Sequence, residues 1–189
     1  KALLYTLHLR VPFRIAHGVS STRQVLRLQE GDHIAEAPFV PYYGEDPAET
    51  LRLVSLPVLP QRLPRAASLA FNLLRHDIVC HAQNIPLRAV AAQMLGKEGA
   101  TPLACHSLGI PDDLHVFGER VEALAKQFRV LKLKLGSGDL GLDIATVSIA
   151  RYAAPDAELF LDVNGGWDPV QAPAMIAKVV EYAPALIDQ

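Results

Sequence analysis

Charged and polar side chains lie toward the ends of three successive apolar segments in the second half of the sequence. They are Lys132 and Lys134 in the first segment, Asp162 and Asn164 in the second, and Asp188 in the third. Side chains alternate between the two faces of a strand, so the intervening leucines point to one face and the charged groups to the other. Carboxylates that meet at the ends of parallel strands offer oxygen ligands, which favour Mg²⁺ over zinc.

Each of these features, taken alone, has an ordinary structural explanation. A lone Lys132-Leu133-Lys134 pattern is more often an amphipathic edge strand with solvated ammonium groups. Asn164 and the two glycines after it suit a turn with positive φ, and Asp188 alone is a polar residue near the chain end. The combination is more informative, because burying such groups without partners is costly. A divalent cation between the carboxylates, with lysines beside it, removes that cost.

The elements that must position these residues are predicted from hydrophobic periodicity. Helices are predicted over 119–128 and 140–152 and from Asp168-Pro169 onward, and strands over 130–135, 159–163 and 185–188. Strands that alternate with helices in this way form right-handed βα units with parallel strands. Either an open doubly wound sheet or a (βα) barrel satisfies this pattern.

The first half of the sequence has a different texture, typical of an α+β unit. Strands are predicted over 3–9, 25–29, 34–37 and 101–110, with a loop from Pro12 to Thr22 and a hairpin turn at Gly31-Asp32. Helices are predicted over 47–54, 65–83 and 87–95, the last ending at Gly96. Prolines between these segments mark the loops that interrupt regular structure.

Composition excludes several classes of protein. The 189 residues are 50% hydrophobic, and 18 Lys+Arg stand against 20 Asp+Glu, so we expect a compact core and no nucleic-acid partner. No apolar run approaches the roughly 20 residues of a membrane helix, so no membrane partner is expected. The N-terminus lacks the features of a secretory signal, and Cys80 and Cys105 have no ligand or disulfide spacing. We therefore expect a cytoplasmic protein.

Several motifs together resemble the enolase superfamily, in its muconate-lactonizing and mandelate-racemase-like group. The most specific is Lys-x-Lys at 132–134 followed by Asp-x-Asn-Gly-Gly-Trp at 162–167. Residues 12–18 resemble the mobile specificity loop of that superfamily's N-terminal capping domain, and residues 70–86 resemble the helix that leads into its barrel. Residues 36–45 are most similar to members that epimerise dipeptides of the L-Ala-D/L-Glu type.

The resemblance implies an α/β fold in two domains. Residues 1–100 would form an α+β capping domain, and residues 101–189 the first half of a (βα) TIM-type barrel. Such a barrel needs about 250 residues, so we expect the sequence to be part of a longer enzyme that continues beyond the fourth barrel strand. Two alternatives stay open: a truncated, non-catalytic relative that binds a ligand or oligomerises, and two copies that complement one another.

The resemblance also implies roles for the charged residues. Lys134 matches the base that removes or returns the proton next to a carboxylate. Lys132 matches the lysine that contacts the substrate carboxylate, and a neighbouring cation favours the neutral form of an amine. Asp162 matches the first ligand of a Mg²⁺ ion. Asp188 matches the second, with an aspartate where the family usually has a glutamate.

Three further residues are expected to support the site. Ser107, in the first predicted barrel strand, falls where relatives often place Ser or Thr near the substrate. His17 lies in the segment that resembles the specificity loop and is a candidate for a substrate contact. Asn164 is expected to stand beside the metal ligands without binding the metal itself.

The activity implied by the resemblance is Mg²⁺-dependent abstraction of the proton next to a carboxylate, through an enediolate. We therefore expect an isomerase acting on a small carboxylate, with dipeptide epimerisation favoured. Muconate cycloisomerisation, succinylbenzoate synthesis and N-acylamino-acid racemisation use the same residues and stay open as alternatives. A homo-oligomer is expected.

Overall fold

Contacts divide the chain into two compact units. The computed structural model describes residues 1–40, 43–96 and 102–188. The first unit comprises Lys1–Arg10 and Thr22–Ala100, and the second comprises Val11–Ser21 and Thr101–Gln189. Among the described helices, none is long and apolar enough to cross a membrane.

The N-terminal sheet has three strands in the order β1-β2-β3. They are β1 (Ala2–Ile15), β2 (Gly18–Glu30) and β3 (His33–Pro38). β2 and β3 are antiparallel, with Leu26 opposite Ala37 and Leu28 opposite Ala35. They contain the two strands that were predicted on either side of the Gly31 turn, so this hairpin is confirmed.

The loop predicted from Pro12 onward is wrong, because this segment is the far end of a long β1–β2 hairpin. β1 continues to Ile15 and β2 begins at Gly18, so the turn consists of Ala16 and His17. Pro12 is tolerated here because β1 is an edge strand of its sheet, where a missing N–H donor need not break a ladder.

Three helices follow, and their bounds agree with the predicted ones. They are α1 (Pro47–Val54), α2 (Arg65–Gln83) and α3 (Leu87–Leu95). Asp46 caps α1 by accepting hydrogen bonds from N–H groups of its first turn. Asn84 and Gly96, both with positive φ, end α2 and α3. α2 packs on β3, and the buried core of this unit contains Leu26, Leu28, Ala35, Ala37, Phe39, Ala66, Ala67, Ala70 and Leu74.

The second unit contains a four-stranded parallel sheet in the order β4-β5-β6-β7. Its strands are β4 (Cys105–Leu108), β5 (Val130–Lys134), β6 (Glu158–Asp162) and β7 (Leu186–Asp188). Its helices are α4 (Leu114–Ala125), α5 (Leu140–Ala153) and α6 (Ala172–Val179), and a 3₁₀ turn at Val180–Tyr182 follows α6. The predicted α/β class, with parallel βα units in the second half, is confirmed.

Two helices of this unit begin at other residues than predicted, because side chains cap them elsewhere. α4 begins at Leu114 rather than at residue 119, since the Asp113 carboxylate accepts the N–H groups of its first turn. α6 begins only at Ala172, because Asp168 instead closes a separate turn by accepting the N–H of Val170 at 2.7 Å.

The parallel sheet has one apolar face, as the alternation of leucines and lysines predicts. That face is buried against the helices. It carries Leu131 and Leu133 of β5 with Leu135 just after it, and Leu159 and Leu161 of β6 with Val163 just after it. The lysines and Asp162 occupy the opposite face. β4 is shorter than the strand predicted over 101–110, and Thr101 lies outside the described residues.

Candidate active site

The polar residues of the parallel sheet form two adjacent rows across its strands. In the outer row, Lys134 is opposite Asp162, and Asp162 is opposite Asp188. In the row before it, Ser107 is opposite Lys132. Both rows lie toward the C-terminal ends of the strands, which is the end where (βα) barrels carry their active sites.

Two lysines converge on one carboxylate oxygen. The Nζ atoms of Lys132 and Lys134 each lie 2.6 Å from Oδ2 of Asp162. Lys134 also donates a hydrogen bond of 3.0 Å to Oδ1 of Asn164, whose own N–H donates to Oδ1 of Asp162 at 3.1 Å. The Nζ of Lys132 is 4.0 Å from Oδ2 of Asp188. Four predicted site residues thus form one polar cluster, and Asp188 lies at its border.

Asp162 is the buried anion of this cluster. Its side chain is 5% exposed, whereas the side chain of Asp188 is 61% exposed. Burial acts to raise the pKa of Asp162, but hydrogen bonds from Lys132 and Lys134 together outweigh it and hold the pKa below its ordinary value. Asp162 is therefore ionised at neutral pH despite its burial.

Glycines after β5 and β6 allow the two site loops to approach each other closely. A Cβ on Gly136 would lie 2.5 Å from the carbonyl oxygen of Val163, and a Cβ on Gly166 would lie 2.6 Å from the Cα of Gly136. The same added atoms would lie 3.1 and 2.9 Å from the Cβ of Ala16. The turn of the β1–β2 hairpin therefore lies against the two loops at the C-terminal ends of these strands.

Asp162 and Asp188 are the residues that could hold a metal ion. The two carboxylates are opposite each other on neighbouring strands and supply hard oxygen donors. Within the described residues, no group of three or more His, Cys, Asp or Glu side chains is arranged to hold a metal. Mg²⁺ commonly uses one or two protein carboxylates and completes its shell with water or substrate oxygens. The chemistry of this donor pair therefore fits Mg²⁺ better than zinc, which prefers four nitrogen or sulfur ligands.

Ser107 and His17 are the predicted substrate contacts besides Lys132, and they lie on β4 and in the β1–β2 turn. Ser107 is exposed on β4, next to Lys132 in register. His17 is exposed in the hairpin turn, directly after Ala16, which lies against the loops following β5 and β6. Their contact with a substrate stays a prediction.

Sequence reasoning missed Asp143, which is buried beside these loops. Its carboxylate accepts hydrogen bonds from the N–H groups of Gly136 and Ser137 and from Nε1 of Trp167. The signal was present in the sequence, because an acid within the apolar stripe of a helix needs a buried partner. Trp167 itself is buried in the core of the second unit.

A known domain family matches the part of the chain that carries the parallel sheet and the lysine–carboxylate cluster. Residues 117–189 match the family model described as "Enolase C-terminal domain-like". The resemblance to the enolase superfamily, drawn from the motifs, is thereby confirmed.

The names of individual relatives are more specific than the description of the family model. A "Hydrophobic dipeptide epimerase" of Enterococcus faecalis (strain ATCC 700802 / V583) is 30% identical over 125 residues, covering 66% of this chain and 34% of that protein. A dipeptide epimerase structure from Enterococcus faecalis V583, complexed with Mg and the dipeptide L-Leu-L-Tyr, has a TM-score of 0.82 at 23% identity. The match covers 99% of this chain and 59% of that chain.

A third relative has a different named activity. A muconate lactonizing enzyme from Mucobacterium smegmatis, complexed with muconolactone, has a TM-score of 0.71 at 20% identity, over 98% of this chain and 57% of that chain. The structural matches establish the fold, an antiparallel N-terminal sheet followed by the first part of an enolase-like barrel. The chain spans about a third of the curated relative and about three fifths of the solved structures.

Proposed function

We propose that this chain forms the capping domain (1–100) and the first part of the barrel (101–189) of a Mg²⁺-dependent enzyme. The enzyme removes and returns the proton next to a carboxylate, and its favoured reaction is dipeptide epimerisation. The observation that carries the proposal is the convergence of Lys132 and Lys134 on the buried Asp162 at the C-terminal ends of parallel strands.

Lys134 is the residue proposed to move the proton. Its side chain is 14% exposed and its Nζ is held by Asp162 and Asn164, so the amine has a fixed position at the polar edge of the sheet. A lysine takes up a proton only in its neutral form, so the proposed base is the uncharged amine of Lys134. Lys132 lies on the same strand and face, two residues before it.

Lys132 is also proposed to orient the substrate. Its side chain is 28% exposed and its ammonium group lies between Asp162 and Asp188, so a substrate carboxylate can reach it from the solvent side. A Mg²⁺ ion held by Asp162 and Asp188 would supply positive charge for the substrate carboxylate as its neighbouring carbon loses a proton. The positive charge of Lys132 acts in the same direction.

The substrate class rests on the relatives. The named activity of the curated relative and the dipeptide in the Enterococcus complex support a dipeptide. Muconate cycloisomerisation is the second candidate, supported by the lactonizing enzyme of the same fold. Cytoplasmic location and assembly of a homo-oligomer stay predictions.

Exchange of the substrate proton with solvent deuterium tests this function. The full-length protein is incubated with Mg²⁺ and L-Leu-L-Tyr in D₂O, and loss of the α-proton signal is followed by ¹H NMR. We expect exchange that stops on addition of EDTA and falls at least a hundredfold or so in Lys134→Ala, as expected for loss of a general base. The control is Lys178→Ala, which alters an exposed lysine of α6 and should exchange normally.

Two outcomes would contradict the proposal in different ways. Normal exchange in Lys134→Ala removes that lysine from its role. An intact, folded protein that exchanges no dipeptide proton and converts no muconate-type acid supports the non-catalytic alternative, in which the chain binds a ligand or oligomerises. Conversion of muconate without dipeptide exchange would leave Lys134 as the proposed base and make a muconate-type acid, rather than a dipeptide, the substrate.

A further inference from the structure

A buried carboxylate that plays no part in the proposed proton transfer connects the two loops of the candidate site. Asp143 lies in the first turn of α5 and is 1% exposed. Its Oδ2 accepts hydrogen bonds from the N–H of Gly136 at 3.0 Å and from Nε1 of Trp167 at 2.7 Å. Its Oδ1 accepts the N–H of Ser137 at 3.1 Å. One side chain therefore binds the loop after β5 and the loop after β6.

The position of Asp143 is costly unless these bonds are made. The helix around it contributes Leu140, Ile144 and Val147 to the apolar core, and a buried carboxylate without donors is strongly unfavourable there. Three N–H donors and the N-terminal end of α5 offset that cost, because a helix N-terminus favours negative charge. An apolar residue at this point would fill the core and leave both loops without their common acceptor.

The clamped loops leave little room for the strand ends to move. Gly136 follows Lys134 by two residues, and the N–H of Leu135 donates to the carbonyl of Asp162 at 2.9 Å. Beyond that bond, the backbone of Gly136 is in close contact with Gly166. The distance between Lys134 and Asp162 is thus defined by a ladder bond on one side and by the Asp143 clamp on the other.

We propose that Asp143 is a positioning residue that keeps Lys134 and Asp162 in place by clamping the loops after β5 and β6 to α5. Its importance for turnover rests on the proposed function, whereas the clamp itself can be tested without any substrate. The test therefore uses two readouts on the full-length protein, one at Trp167 and one at Lys134.

The first readout is the indole N–H signal of Trp167, the single tryptophan of this chain. In a ¹H–¹⁵N spectrum, the signal is assigned by its disappearance in Trp167→Phe. We expect it to shift upfield in Asp143→Asn, because a neutral amide oxygen is a weaker acceptor than a carboxylate. The matched control is Asp156→Asn, which alters an exposed aspartate of the same unit and should leave the signal in place.

The second readout is the acetylation rate of each lysine at low reagent concentration, mapped by mass spectrometry. In the native protein Lys134 should react slowly, since it is 14% exposed and held by Asp162. In Asp143→Asn we expect the acetylation rate of Lys134 to rise about five- to thirtyfold, which is the range expected when one or two hydrogen bonds that hold the site are lost. Lys178, exposed on α6, serves as the internal reference and should not change.

Trp167→Phe provides a milder variant, because it removes one of the three donors and keeps an aromatic ring in the core. A selective rise at Lys134 in either variant supports the proposal, even in a protein that exchanges no substrate proton. Unchanged reactivity of Lys134 in both variants overturns it, and so does an equal rise at every lysine, which indicates a purely structural role for Asp143.

Discussion

Lys134 and Asp162 are 28 residues apart in sequence, yet they are opposite each other on neighbouring strands, with Nζ and Oδ2 separated by 2.6 Å. The pairing depends on the register of two parallel strands joined by α5. A slip of one residue would turn one of the two side chains to the apolar face, where Leu133 and Leu161 are fully buried. The hydrophobic face therefore enforces the register that brings the charged pair together.

The stability of the protein should depend on the charge of Asp162. We expect Asp162→Asn to lower the free energy of unfolding by about 3 kcal/mol at pH 7, as when one partner of a buried ion pair is removed. Because the folded pKa of Asp162 lies below its ordinary 3.8, its contribution is complete above that value and is lost as the pH falls through the folded pKa. Urea unfolding at several pH values measures this difference.

The difference between the wild type and Asp162→Asn should therefore be constant from pH 7 to about pH 5 and shrink below about pH 3.8. Asp156→Asn, at an exposed position, should differ little from the wild type at any of these pH values. A difference that persists undiminished at the lowest pH would show that Asp162 stabilises by packing rather than by charge.

Crowding and backbone strain can be separated at two glycines of the loop after β5. Gly136 and Gly138 both have positive φ, but a Cβ would collide with backbone atoms at Gly136 and meet nothing within 4 Å at Gly138. Both alanine variants should therefore lose stability from strain, while Gly136→Ala should lose about 1–3 kcal/mol more from overpacking. Denaturant unfolding of the two variants gives this difference directly, and equal losses would contradict the close approach of the loops.

Arg151 should matter for the segment that leads into β7. Its guanidinium donates to five backbone carbonyls, those of Ala154, Pro155, Ala157, Tyr182 and Ala183. We expect Arg151→Ala to lower the free energy of unfolding by about 2 kcal/mol, because hydrogen bonds from a charged donor are lost and three of them are partly buried.

Lysine is the matched replacement for Arg151, since it keeps the charge but cannot span the five acceptors. Arg151→Lys should recover only a small part of the lost stability in the same unfolding measurement. Full recovery would mean that the charge alone is sufficient and that the planar, five-donor geometry of arginine contributes nothing.

Local chemistry in the sequence was sufficient to predict most elements and the central part of the site. α2 and α3 end where Asn84 and Gly96 adopt positive φ, which these residue types favour. The leucine–lysine alternation of β5 assigned its two faces, because side chains alternate along any strand. Lys134 and Asp162 could therefore be placed at one end of a parallel sheet before any contact was known.

Contacts between distant segments decided the rest. The residues from Pro12 onward contain loop-forming types, yet they form a hairpin whose turn lies against Gly136 and Gly166, a packing partner far along the chain. The role of Asp143 likewise depends on donors in two separate loops. Periodicity and capping act over a few residues and can be recognised in sequence, whereas these contacts exist only once the parallel strands are side by side.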